Sequence, residues 1–224
     1  MRIGILGTGN MADALGTQWL RAGHDVLVGG RDVDRAAALA TRMGAAAPAA
    51  RGGLARSGAL REAAEFGADA VLVALPWAAA AEVAADLQDV LRGRALIDCT
   101  NPVGPGFTLE TTGGPSAAQR LAAAAPGAHV VKAFNLCHED IWRLTPPVFA
   151  GRPLAVPLCG DDVNALDVVR HLVRDLGCEP LNAGALTRAG LLEATAALLI
   201  GLWVGEGADA QAIAPPASSS PSGV

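Results

Sequence analysis

The chain begins with an apolar run, Ile3-Gly4-Ile5-Leu6, that breaks into Gly7-Thr8-Gly9-Asn10-Met11-Ala12 and then into a helical pattern. This is the G-x-G-x-x-A turn in strand–turn–helix context, and it restricts the fold to α/β designs in which a strand feeds a crossover helix. Each position has a physical task. Gly7 permits a tight turn, Gly9 lets the backbone come close to a pyrophosphate, and the small Ala12 lets the helix pack on the strand. The free N–H groups at the start of that helix then face phosphate oxygens. The turn therefore implies a dinucleotide site built from Gly7, Thr8, Gly9, Asn10 and Met11.

The second apolar run, Asp25-Val26-Leu27-Val28-Gly29, should end where an acid bonds the adenosine ribose of NAD. The chain instead reads Gly29-Gly30-Arg31-Asp32-Val33-Asp34-Arg35. Gly30 leaves space, Arg31 supplies a guanidinium, and Arg35 follows one helical turn later. A guanidinium grips a phosphate through two parallel hydrogen bonds, so this end suits the ribose 2′-phosphate of NADP(H). Asp32 stands against that reading if it takes the ribose hydroxyls; otherwise it caps the next helix.

A net charge of −5 gives no electrostatic support to a nucleic-acid or anionic-membrane partner. Four widely spaced cysteines, Cys99, Cys137, Cys159 and Cys178, fit neither a zinc ribbon nor a C-x-x-C pair and read as reduced, buried thiols. The first residues enter a strand at once, so no leader is expected, and the protein is expected in the cytoplasm. The apolar stretch Ala194 to Val204 is shorter than the roughly 20 residues of a spanning helix and reads as a buried helix. Residues 211–224 are rich in Pro and Ser, with nothing to bury, and read as a disordered tail. Lys132 is the one lysine beside sixteen arginines.

Strand-like runs at Ile3–Leu6, Asp25–Val28, Ala70–Leu75, Ala95–Asp98, His129–Phe134, Leu154–Cys159 and Glu179–Leu181 alternate with helical patterns. Those helices fall at Met11–Arg21, Asp34–Arg42, Leu60–Glu65, Ala78–Val90, Ser116–Ala124, Val163–Leu176 and Thr187–Val204. The alternation predicts a doubly wound parallel α/β sheet of the Rossmann type with helices on both faces. The expected organisation is a dinucleotide-binding domain over 1–150 and a small C-terminal α/β lobe over 151–210.

Ligands in such sheets bind beyond the carboxyl ends of the strands, so the strand tails hold the remaining candidates. Pro76-Trp77 either starts a helix or covers one end of the cofactor, after Leu75. Asn101-Pro102 is a turn signal or an amide that bonds the nicotinamide side. Gly160-Asp161-Asp162 reads as a helix cap. Asn135 through Asp140 is the most polar tail, but its Cys137-His138 neighbours diverge and suit neither a nucleophile–base pair nor a metal. Lys132 pairs with Asp98 one strand away, or acts as a proton donor near the substrate.

Several motifs together resemble one family. They are Gly7-Thr8-Gly9-Asn10-Met11, Gly29-Gly30-Arg31, Leu75-Pro76-Trp77, Val156-Pro157-Leu158-Cys159-Gly160-Asp161-Asp162 and Leu181-Asn182-Ala183-Gly184-Ala185-Leu186. In this order they resemble the NADP-dependent reductases of the deazaflavin coenzyme F-420. With Lys132-Ala133-Phe134-Asn135 they also resemble the reductase domain of the ferric-reductase membrane proteins. The resemblance covers about residues 1–205. It implies a Rossmann domain, a homodimer, and hydride exchange between NADPH and a deazaflavin ring.

Carried over by position, the resemblance gives the pyrophosphate to Thr8, Gly9, Asn10 and Met11, and the 2′-phosphate to Gly30, Arg31 and Arg35. The nicotinamide half falls to Leu75, Pro76 and Asn101. The deazaflavin falls near Asn135 to Glu139, with Lys132, Asn135 and His138 as the candidate chemical groups. The tail after Asp98, with Phe107-Thr108-Leu109, and the Cys-His-Glu-Asp run depart from the pattern on the acceptor side. Another acceptor, a flavin or a small imine or ketone, stays open. The Gly-Asn-Met-Ala turn is shared with pyrroline-carboxylate reductases, but those continue into a long helical region. A non-catalytic NADP-binding regulator is the reading from a different class.

Overall fold

The computed structural model describes residues 1–47 and 52–208. The front half runs β1 (Arg2–Leu6), α1 (Asn10–Arg21), β2 (Asp25–Gly29), α2 (Val33–Ala46), β3 (Ala55–Gly58), α3 (Leu60–Phe66) and β4 (Ala70–Val73). The rest runs α4 (Trp77–Asp86), α5 (Gln88–Leu91), β5 (Ala95–Asp98), α6 (Ala117–Ala124), β6 (His129–Lys132), β7 (Val148–Phe149), β8 (Arg152–Pro153), β9 (Ala155–Gly160), α7 (Val163–Asp175), β10 (Glu179–Gly184) and α8 (Ala189–Ile200). One eight-stranded sheet has the order β10-β9-β6-β5-β4-β1-β2-β3, and β7 pairs with β8 in a small hairpin.

Period-two alternation splits the strand side chains between two apolar clusters, one on each face of the sheet. Ile3, Ile5, Leu72 and Ile97 point to the face covered by α1 and α7, with Leu15, Trp19 and Val169. Leu6, Val71, Val73 and Leu96 point to the opposite face, with Leu87, Leu91 and Leu121. Because β1, β4 and β5 are covered on both faces, they are continuous apolar runs, which is why they were legible. The helices start where their caps stand. Asp32 accepts from Arg35 N at 3.0 Å, Asp162 accepts from Ala165 N at 2.8 Å, and Ser116 and Gln119 form a reciprocal capping box. Asp32 thus caps the helix, as one of its two readings has it.

The doubly wound Rossmann-type α/β sheet is as expected, and the structure refines the reading in three places. The sheet is not parallel throughout: β9 runs antiparallel to β6, with Lys132 opposite Cys159. No helix crosses the sheet between them, so the chain re-enters from the edge it left. Residues 133–154 are thereby kept at the C-terminal edge, over the site. β9 and β10 join the main sheet, and the C-terminal α/β segment expected as a small lobe extends that sheet.

Second, β3 (Ala-Arg-Ser-Gly) was not legible, since an exposed edge strand of that composition carries no apolar signal. Third, the Ala194–Val204 helix is buried on one side only, through Ala196 and Ala197. Leu186–Gly205 forms 20 continuous helical residues, long and apolar enough by length and composition to cross a membrane. Yet its Glu193 is fully buried against the sheet, while Leu198 is 58% and Val204 71% exposed. The predicted tail, 211–224, lies outside the described residues.

Candidate functional site

The sheet changes winding direction between β1 and β4, and α1 opens at that crevice. Gly7 has φ +121°, and a Cβ there would lie 2.2 Å from Ala74 O, so only glycine makes this turn. Gly7 N donates to Gly29 O at 2.8 Å and ties the turn to β2. Gly9 is the α1 N-cap; it offers no side-chain cap, and a Cβ on it would meet nothing within 4 Å. The first N–H groups of α1 therefore face open space, the cradle a pyrophosphate fits.

On the β2 side of the crevice, a hollow of about 470 Å³ is lined by Gly30, Arg31, Ala59, Leu60, Val83 and Asp86, among others. Arg31 is exposed and, among the described residues, takes part in no ion pair, whereas the neighbouring Arg61 is held by Asp89 at 2.8 Å. Gly30 has a further reason to be small. A Cβ there would meet the Thr8 methyl at 2.8 Å, so Gly30 seats the Gly7–Gly9 turn. The α3 and α4 residues were missed because no local motif marks those helices as neighbours of the β2 tail.

On the β6 side, a cavity of about 440 Å³ brings together Met11, Asn101, Asn135, His138 and Glu139 of the candidates. It adds Cys99, Phe134 and, from the C-terminal helix, Ala196, Ile200 and Trp203. Asn101 and Asn135 fix each other: Asn101 Nδ2 donates to Asn135 O at 2.7 Å, and Asn135 Nδ2 donates to Asn101 Oδ1 at 2.9 Å and to Leu192 O at 3.1 Å. Before them Phe134 sits at φ +60°, a conformation rare for a bulky residue, with its ring edge-on between Trp19 and Trp142.

The chain after β6 is clamped on α1. Asn10 Nδ2 donates to Glu139 at 2.8 Å, Arg143 pairs with Asp13 at 3.1 Å, and Gln18 donates to Trp142 O at 2.9 Å. Burial alone would raise the Glu139 carboxyl. Its own backbone N–H, Asn10, and the His138 and Arg143 charges outweigh that and hold it below the usual range. His138 is exposed at the mouth, and its Nδ1 accepts from Asp140 N. Burial pushes the Cys137 thiol to about 11 and Cys99 to about 12, so both stay protonated.

Five candidates stand apart from this cavity. Lys132 is fully buried, with Asp98 and Glu193 each at 3.0 Å, and it also donates to Thr100 O. Glu193 in turn accepts from Ala117 N and Ala118 N, at the start of α6. All three ammonium protons are engaged, which is the partnered reading, with a second acid that the sequence reading did not find. Trp77 lines a separate hollow of about 260 Å³ between α4 and α6, with Arg120 over its ring at 5.8 Å. Pro102 is buried, and its carbonyl closes the following loop on Glu110 N. Pro76 is the exposed N-cap of α4, and Leu75 lies beside the Gly7 turn.

Residues 2–102 match the family model described as NADP oxidoreductase, coenzyme F420-dependent. Among curated relatives, Metalloreductase STEAP3 of Rattus norvegicus is 29% identical over 202 residues, covering 90% of this chain but 38% of its own length. The F420-dependent NADP reductase of Methanothermobacter thermautotrophicus is 28% identical over 212 residues, covering 90% and 89%. Among solved structures, a candidate F420-dependent NADP reductase from Arthrobacter sp. FB24 gives a TM-score of 0.78 at 24% identity, over 92% of this chain and 95% of that one. An imine reductase from Streptomyces aurantiacus gives 0.65 at 18%, over 91% and 62%. The two structures share the fold. The chain is thus similar to the family its motifs indicated.

Proposed function

We propose that this chain, built like the coenzyme F420-dependent NADP oxidoreductases it resembles, exchanges hydride between NADP(H) and an organic acceptor at the C-terminal edge of its sheet. The observation that carries this reading is a single continuous edge. The uncapped start of α1 stands between a hollow bearing Arg31 and a cavity walled by the β5 and β6 tails and the C-terminal helix. When bound, NADPH would supply the hydride from its nicotinamide. The α1 N–H groups would hold the pyrophosphate, and Arg31, with Arg35 a turn behind, the 2′-phosphate. The Asn101–Asn135 pair keeps the β5 and β6 tails in register, so the acceptor meets a rigid wall.

The family likeness favours a deazaflavin, coenzyme F420, as acceptor; such a transfer needs orientation more than acid–base help. A second reading, a small imine, ketone or flavin, is supported by the largely apolar wall of the cavity. For an imine or ketone, His138 is the exposed group at the mouth that hands over a proton. Lys132 has no part in either, since its protons are all engaged. The exposed apolar face of α8 (Leu191, Leu198) is the surface on which two copies would pair as a homodimer.

Mixing the protein with NADPH and, separately, F420, a free flavin or a cyclic imine tests this. Loss of NADPH absorbance with one of them supports hydride transfer and names the acceptor. Tight NADPH binding with no turnover on any acceptor would make the chain a non-catalytic NADP-binding regulator.

A further inference from the structure

Beside the cavity at the β6 tail lies a second hollow of about 350 Å³, lined by Cys137, His138, Ile141, Phe149, Leu154 and Trp203. The two share Cys137, His138 and Trp203, so they are adjoining chambers with the Trp203 indole in their common wall. That wall is held from behind. Phe107 packs on Gly201 and Gly205, where added Cβ atoms would come 3.2 Å from its Cβ and from a ring carbon respectively. The far side of the chamber is the β7–β8 hairpin with Leu154, which exists because the chain returns antiparallel at β9.

The chemistry of this lining is one-sided. Apart from the His138 imidazole and the Trp203 indole N–H, its side chains offer only carbon and sulfur. Neither chamber has a lysine or an arginine among its lining residues. The full charge present is the Glu139 carboxylate in the first chamber. The guanidinium on the same segment, Arg143, is committed to Asp13 at 3.1 Å and Asp140 at 3.4 Å. An anion placed here would lose hydration and meet another anion, whereas an apolar body would leave water without loss.

We propose, resting on the hydride-transfer reading above and on its second acceptor class in place of the anionic deazaflavin, which this lining does not fit, that the acceptor is an uncharged or cationic small molecule whose apolar body occupies this second chamber while its reducible carbon lies in the first. A small molecule is the occupant because the chamber opens into the cofactor-side cavity, and together the two have the size of a small-molecule site. Leu154 and Phe149 define how large that body is. Trp203 decides how it turns from one chamber into the other.

The test uses the full chain with saturating NADP⁺ and the uncharged fluorescent probe N-phenylnaphthylamine. Saturable fluorescence is expected, with affinity lowered about tenfold or more by Leu154→Glu and kept by Leu154→Met, while both variants bind NADPH as the wild type does. In turnover, a phenyl-substituted cyclic imine should be reduced with higher kcat/KM than the unsubstituted ring, and the same ring carrying a carboxylate with lower. Leu154→Glu should abolish the phenyl preference.

Probe binding indifferent to Leu154→Glu, or a preference for the carboxylated ring, would overturn the proposal. Probe binding that depends on Leu154 with no turnover of an imine, a free flavin or F420 upholds the apolar ligand class and overturns the hydride reading beneath it; turnover of F420 alone would overturn the proposal and keep that reading. A signal that falls as protein concentration rises, with a matching gain in mass by light scattering, gives the chamber to a second copy and overturns the proposal.

Discussion

At the scale of single residues, Lys132 shows how a singular feature of sequence gains meaning only from its partners. A buried ammonium loses hydration, which lowers its pKa, but Asp98 and Glu193 more than compensate and hold it above the ordinary lysine value. Asp98 was legible one strand over. Glu193 was not, because it comes from a distant helix that looked uniformly apolar. Lys132→Met would leave two buried carboxylates facing each other and should destabilise the fold by about 3–5 kcal/mol in denaturant titration. Turnover per folded molecule should persist well below the thermal midpoint. A large fall in turnover with an unchanged midpoint would instead give Lys132 a chemical role. Gly7→Ala forces a side chain into the left-handed region and against Ala74 O. It should lower stability by about 1–3 kcal/mol and weaken NADPH binding as well.

At the scale of elements, the strands buried on both faces announced themselves, as did the helix caps at Asp32, Ser116 and Asp162. What stayed hidden was decided by tertiary partners. β3 is an exposed edge, and the antiparallel turn into β9 follows from the lack of a crossover helix after β6. The Asn135–Asp140 run was recognised as polar, but not that Asn10, Asp13 and Gln18 of α1 hold it in place. α8 was expected to be buried, since nothing in its composition separates a core helix from one that awaits a partner. If two copies meet there, Leu198→Glu should shift the mass seen by light scattering from dimer to monomer, with NADPH affinity unchanged. A dimer that survives this change would place the interface elsewhere.

At the scale of the whole molecule, His24, at the turn from α1 to β2, bonds Asp175 at the end of α7 at 2.7 Å. It thereby joins the first βαβ unit to the C-terminal segment. Burial pushes the His24 imidazole below its ordinary 6.5, although Asp175 works the other way. Its neutral form is favoured in the folded state. That stability is complete above about pH 6.5 and is lost as pH falls from there through the lower folded value. Chemical denaturation between neutral pH and pH 5 should show this decline, and His24→Gln should flatten it; an unchanged slope would free His24 from that role.

The molecule as a whole was legible at the β1–β2 crevice, where Gly7, Gly9 and Arg31 follow local rules of turns and charge. It was less legible at the adjoining cavities, which are assembled from the β6 tail, a hairpin and the last helix. The central claim therefore rests on Arg31 reading the 2′-phosphate, and fluorescence titration with NADPH and NADH tests it most directly. Wild-type protein should bind NADPH at least about tenfold more tightly than NADH, as a charge-assisted guanidinium–phosphate contact provides, and Arg31→Ala should erase that preference while leaving NADH affinity in place. Equal affinities for the two nucleotides in the wild type, or equal losses for both in Arg31→Ala, would contradict it.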